Sequence, residues 1–200
     1  MGRPRVHDEQ TREALLAAAE DLVDAGGASA LSVRAVADSV GTTTRAVYSI
    51  FGSKQGLLDA LARRSFELLR DDIARLPMTD DPARDLVRAA VEVFRPMAVE
   101  HAAMFALAFL RAAPSLEFDE QTRATAREGL DLLRSRVRRL AEADQLGGRD
   151  VDLVTAEFNA LCQGLGSSEL RNPALLGPDP ALVWRDAFEA LLSGLRTPAS

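Results

Sequence analysis

Two hundred residues, 47% of them hydrophobic and 27% charged, are enough for one large packed domain or two small ones. No run approaches the roughly 18 apolar residues of a membrane span, and the basic segment Met1 to Asp8 lacks the apolar centre of a signal peptide. A cytoplasmic protein with no membrane partner is therefore expected. One cysteine, Cys162, excludes an internal disulfide framework, and a net charge of −6 excludes coating of nucleic acid by bulk attraction.

Taken in order, the chain reads as all-α, with about nine helices and no convincing strand. Arg3-Pro4-Arg5 precedes any helical pattern. It is either a flexible arm whose arginines enter a DNA minor groove or an ordinary terminus. Asp8 or Thr11 can cap the first helix, whose stripe is Ala14, Leu15, Ala18, Leu22 and Ala25 before Gly26-Gly27 stops it. Ser32 is a natural N-cap for a short helix with Val33, Val36, Ala37 and Val40 on one face. Gly41 ends that helix, and Thr43 caps a second short one with Val47, Ile50 and Phe51 inward and Thr44, Arg45, Tyr48 and Ser49 outward. Gly52-Ser53 breaks it, and Ser53 starts a long helix at Lys54, which sits beside unpaired backbone N–H groups suited to a phosphate.

Two short helices joined by a glycine turn make a helix-turn-helix, whose second member enters a major groove. Lys54 is the only lysine of the chain, and residues 34–64 hold five cations (Arg34, Arg45, Lys54, Arg63, Arg64) against Asp38 and Asp59. Such a local basic face on an acidic molecule suits site-limited DNA contact. The order Ala37, Gly41, Tyr48, Phe51, Gly52, Ser53, Lys54, Leu57-Leu58 resembles the DNA-binding domain of the tetracycline-repressor (TetR) family over about residues 8 to 72. The resemblance implies phosphate contacts from Tyr48 and Lys54, and from Thr43 and Ser49. Arginine chemistry independently nominates Arg45 for bidentate contact with guanine, and Thr44 for a thymine methyl.

The long helix from Lys54 runs to about Leu76, and Asp81-Pro82 is an N-cap plus first-turn pair for the next. Pro96 falls inside that helix, where it removes a hydrogen bond and kinks it. The chain turns near Glu100-His101 and continues as a short helix to Pro114. Phe94, Met97, Met104, Phe105, Phe109 and Phe118 crowd residues 94–118, as a malleable ligand pocket or a plain core would require. With Phe66, Leu69, His101, Phe158 and Cys162 they form the candidate ligand site. Three longer helices follow, from about Asp119, Asp150 and Asp179.

The last two helices carry apolar residues on more than one face, with Gly164, Gly166, Ser167 and Ser168 allowing close backbone approach. They predict a two-fold homodimer through a four-helix bundle, with Leu161, Leu165, Trp184, Phe188, Leu191 and Leu195 at the interface. This half is also similar to a TetR subgroup with a Trp-His-Gly motif. Gly164 agrees with that motif, but Gln163 replaces the histidine and no tryptophan stands upstream.

The only histidines, His7 and His101, have no helical metal-ligand spacing beside them, and Gly164 to Ser167 lacks the strand context of a phosphate loop. No enzyme, metal or cofactor is expected. The expected domains are residues 1–53 for DNA binding and 54–200 for ligand binding and dimerisation, with the helix from 54 shared. The reading that results is a homodimeric regulator, a repressor released from a pseudo-palindromic double-stranded DNA operator by a small apolar ligand. The alternatives are a helical small-molecule-binding protein without DNA function, or a helical enzyme using His101 with Glu100.

Overall fold

The computed structural model describes residues 4–110 and 116–195, with side chains from residue 9 onward. Among the described residues there is no strand. The helices are α1 (Pro4–Ala30), α2 (Val33–Val40), α3 (Thr44–Phe51), α4 (Lys54–Arg75), α5 (Pro82–Ala89), α6 (Arg95–Glu100), α7 (Ala102–Phe109), α8 (Glu120–Glu142), α9 (Val151–Arg171) and α10 (Pro180–Leu195). A π-helical turn, Ala90–Phe94, joins α5 to α6, so these two are one continuous rod. Nine rods result among the described residues, as the sequence pattern predicts. The chain forms two compact units, Met1–Ser65 with Ala103–Arg123, and Phe66–Ala102 with Ala124–Ser200.

In the first unit, α1 differs from its expected form at its start and along its inward face. It already runs from Pro4, so Asp8 and Thr11 lie inside it rather than at its cap; proline is well tolerated in a first helical turn. Arg3 and the side chains of Arg5 and His7 lie outside the described residues. The stop is as expected, since Gly27 leaves helical geometry at φ 73°. The inward stripe is Leu15, Leu16, Ala19 and Val23, whereas Ala14 and Ala25 are exposed and Ala18 and Leu22 are half-buried. An alanine-rich helix offers two overlapping apolar stripes, and the one holding more large side chains, Leu16 and Val23, is the one buried. Asp24 extends from α1 to accept the Ala103 N–H at 2.9 Å in the first turn of α7.

Asp59 of α4 is buried and accepts the Asp119 N–H at 3.1 Å and the Thr122 hydroxyl at 2.9 Å, fixing the first turn of α8. Burial pushes its carboxyl above the ordinary value, against the pull of those two hydrogen bonds.

The second unit starts from the other half of α4. Asp81 accepts the Arg84 N–H at 3.0 Å, with Pro82 in the first turn of α5 as predicted. The π turn answers Pro96. A proline ring collides with the carbonyl four residues back, and the wider turn moves the Arg95 N–H to the Ala90 carbonyl. Asp85, almost wholly buried, receives the Thr79 N–H at 2.7 Å, the Thr79 hydroxyl at 2.8 Å and Arg139 at 2.8 Å. Buried Arg136 donates to the carbonyls of Ile73 at 2.5 Å and Leu76 at 2.8 Å, closing the end of α4 where the helix dipole favours a cation.

Asp150 caps α9 by accepting from Asp152 and Leu153, and Asp179 caps α10 by accepting from Leu182. Between them the core is aromatic. Phe158 lies 6.1 Å from Phe94 and 4.6 Å from Phe188, which stacks on Trp184. Glu169 closes this core, its carboxylate accepting from Nε and Nη2 along one edge of the Arg95 guanidinium and from the Trp184 indole N–H at 2.8 Å.

Candidate nucleic-acid interface

The turn between α2 and α3 is fixed at each step by a local bond. Ser32 accepts the Ala35 N–H at 3.4 Å to start α2. Gly41 ends α2 at φ 69°, a left-handed conformation that costs a side-chain-bearing residue roughly 1–2 kcal/mol. The Thr42 N–H returns to the Ala37 carbonyl at 2.9 Å and the Gly41 N–H to Asp38 at 3.2 Å, completing a Schellman closure. Thr43 then caps α3, its hydroxyl accepting the Ala46 N–H at 3.2 Å.

These caps present α3 with Val47 buried and Thr44, Arg45, Tyr48 and Ser49 exposed; Tyr48 is 51% accessible. Positions 44, 45, 48 and 49 share one face at helical spacing. Ile50 and Phe51, expected inside, are half-buried. The Arg12 guanidinium of α1 lies 5.9 Å over the Phe51 ring and covers part of it. Arg34 is 86% exposed, 3.8 Å from Asp38, a contact weak enough to be exchanged for a phosphate.

Past α3, Ser53 accepts the Gly56 N–H at 2.9 Å and starts α4, with Lys54 exposed beside it. Gly56 is a close-packed position beside the interface that sequence reasoning missed. A Cβ there would stand 2.0 Å from the Phe51 carbonyl oxygen, so the first turn of α4 is pressed against the last residue of α3. The available signal was an isolated glycine inside a helical pattern, which marks close packing when it is not a stop.

Residues 15–61, which span this capped helix pair and the start of α4, match the model of the bacterial regulatory proteins of the tetR family. The chain carries a TetR-family helix-turn-helix domain.

Solved structures extend the likeness over almost the whole chain. A Rhodococcus sp. RHA1 protein of unknown function superposes with TM-score 0.80 at 24% identity, covering 94% of this chain and 96% of that one. The TetR family transcriptional regulator PfmR from Thermus thermophilus gives 0.69 at 25% identity, covering 92% and 99%. The fatty acid degradation regulator FadR from Bacillus halodurans gives 0.75 at 17% identity, covering 92% and 96%. No curated protein matches. The fold is that of a TetR-family transcriptional regulator, with DNA binding carried by the helix-turn-helix. Among the described residues no helix is long and apolar enough to cross a membrane.

The other sequence-predicted residues separate into distinct settings. Of the candidate ligand residues, Met104 and Phe105 are buried in the first unit, with Phe109 and Phe118 half-buried there. Phe66, Leu69, Phe94, Met97, Phe158 and Cys162 are buried in the second unit, and His101 is half-buried at the end of α6. Burial pushes the Cys162 thiol well above its ordinary value, as befits a protonated core thiol.

At the expected dimer face, Leu161, Leu165 and Leu191 are half-buried. Trp184, Phe188 and Leu195 need correction. They are 0, 0 and 1% exposed within a single chain, which leaves almost nothing for a partner to cover. On α10 the stripe holding the larger rings turns inward because it buries more apolar area. The side chains left outward are Leu153 of α9, Leu175 of the turn after α9 and Leu182 of α10, at 50, 71 and 58%.

Proposed function

We propose that this chain is a homodimeric repressor that leaves a pseudo-palindromic operator when a small apolar molecule binds its carboxy-terminal helices. In this reading residues 1–53 bind DNA, and residues 54–200 bind ligand and dimerise, with α4 shared. The observation that carries it is the capped α2–turn–α3 segment, which holds Thr44, Arg45, Tyr48 and Ser49 outward from the buried Val47 anchor. Arg45 reads a guanine edge and Thr44 a thymine methyl. Tyr48, Lys54, Ser49, Arg34 and the remaining hydroxyl hydrogen of Thr43 hold phosphates, which set register without reading sequence. Arg3 and Arg5 join them from the amino terminus in the minor groove.

Two copies place their recognition helices in successive major grooves, about 34–36 Å apart. The outward Leu153 and Leu182, with half-buried Leu161, Leu165 and Leu191, support α9 and α10 as the dimer face. So do Gly164 and Gly194, where nothing lies within 4 Å of a built Cβ. Their small size answers no need of their own chain and suits close approach of a second backbone. The buried methionines and phenylalanines support an apolar inducer, since they can repack around one. Release needs only that the inducer favour a head spacing that no longer matches the operator.

The test is selection of bound duplexes by the full chain from a random library, followed by footprinting and a screen for compounds that release the recovered site. A two-fold symmetric site with about one turn between half-sites is expected. A chain that shows no preference among duplexes at physiological salt would instead be a helical small-molecule-binding protein.

A further inference from the structure

A cleft of about 300 Å³ opens on the second unit between α5 with the π turn on one side and α10 on the other. That volume lies at the lower end of the range for small-molecule sites. Val87 and Val91, both half-buried and one helical turn apart, supply its apolar floor. Arg84, Arg88 and Arg185 surround the floor, with Glu92 and Glu189. Arg88 and Glu92 face each other at 3.6 Å along their helix. Arg84 and Arg185 are exposed, and neither forms an ion pair among the described residues. Two uncommitted guanidinia thus share the cleft with one carboxylate, Glu189, a positive excess on a chain of net charge −6.

We propose that this cleft binds a small organic carboxylate with a compact apolar body. Its carboxylate is held by Arg84 and Arg185, and its body rests on Val87 and Val91. A guanidinium matches a carboxylate in both charge and fork geometry. A dianion such as phosphate fits less well, because Glu189 repels the second charge and the valines offer an inorganic ion nothing. A neutral apolar molecule would leave the guanidinia unanswered. None of the lining residues belongs to the candidate ligand set, and none is among those named for the proposed dimer face.

Calorimetric titration of the full chain with benzoate tests this, with acetate, benzamide and inorganic phosphate as comparisons. Saturable benzoate binding is expected, at least about tenfold tighter than acetate, benzamide or phosphate, the order of effect that one lost charge-assisted contact produces. Arg84→Gln/Arg185→Gln removes two exposed side chains, so it keeps the wild-type melting temperature while losing benzoate by about tenfold or more. Glu189→Gln tightens it by removing the repulsion. Equal binding of benzoate and benzamide, equal binding of benzoate and acetate, phosphate binding as tightly as benzoate, or undiminished benzoate binding by the double variant would each overturn the proposal.

Discussion

In the proposed complex Arg45 and Lys54, nine residues apart, would do different electrostatic work. Replacing Arg45 with alanine is expected to cost about 1–3 kcal/mol on the preferred operator and to relax discrimination at one base position. Replacing Lys54 weakens every duplex alike and lowers the salt slope by about one. Binding measured on matched and scrambled duplexes across a salt series distinguishes the two. Asp85 carries a pH signature of its own. Burial raises its carboxyl, but the Thr79 N–H, Arg139 and the Thr79 hydroxyl outweigh that and hold it below the ordinary value. A depressed carboxylate contributes stability that is present above its unfolded value and lost as pH falls through its folded value. Asp85→Asn should therefore cost about 1–3 kcal/mol at neutral pH. The deficit should shrink below the ordinary carboxylate value of 3.8, as wild-type Asp85 takes up its proton. Urea denaturation at several pH values measures this, and a deficit unchanged down to strongly acidic pH would point to packing instead.

Among elements, the helix ends were the most legible part of the sequence. Ser32, Gly41, Thr43, Ser53, Asp81 and Asp179 each act as the cap that residue chemistry predicts, because capping depends on atoms only two or three positions away. Which stripe of a helix turns inward was less legible. On α1 and α10 several stripes are apolar, and the choice rests on long-range partners that periodicity does not contain. The buried clamp of Arg136 on the end of α4 was hidden for the same reason, as arginine is read as surface by default. The exposure of Thr44, Arg45, Tyr48 and Ser49 on α3 was legible from helical spacing, and that of Lys54 from its place at the start of α4. Gly56 was not, because its role is set by a carbonyl in the neighbouring helix. Gly56→Ala is accordingly expected to cost about 1–3 kcal/mol from overpacking and to weaken operator binding further by displacing α3. A melting curve paired with operator titration would show both, whereas a variant that melted and bound as wild type would mean that the turn yields freely.

At the scale of the whole molecule, the proposed dimer makes DNA affinity depend on side chains far along the sequence from α3. Leu182, 58% exposed on α10, is the sharpest probe. Leu182→Arg introduces a charge that no folded monomer needs to bury, so the melting of an isolated chain should hardly change. Analytical ultracentrifugation should then show a monomer where wild type is dimeric, and operator binding should fall by orders of magnitude because the two half-sites no longer act together. A Leu182→Arg protein that stayed dimeric would move the interface elsewhere.

The contact between Gly56 and the Phe51 carbonyl also limits how this protein could be given a new target. A recognition helix is often treated as a cartridge, exchanged between its two flanking turns. Here the cartridge has no free rear edge, since its last residue abuts the opening turn of α4. Any transplant would have to carry residues 32–56 as one block, or the incoming helix would seat at a different angle from the one it was chosen for.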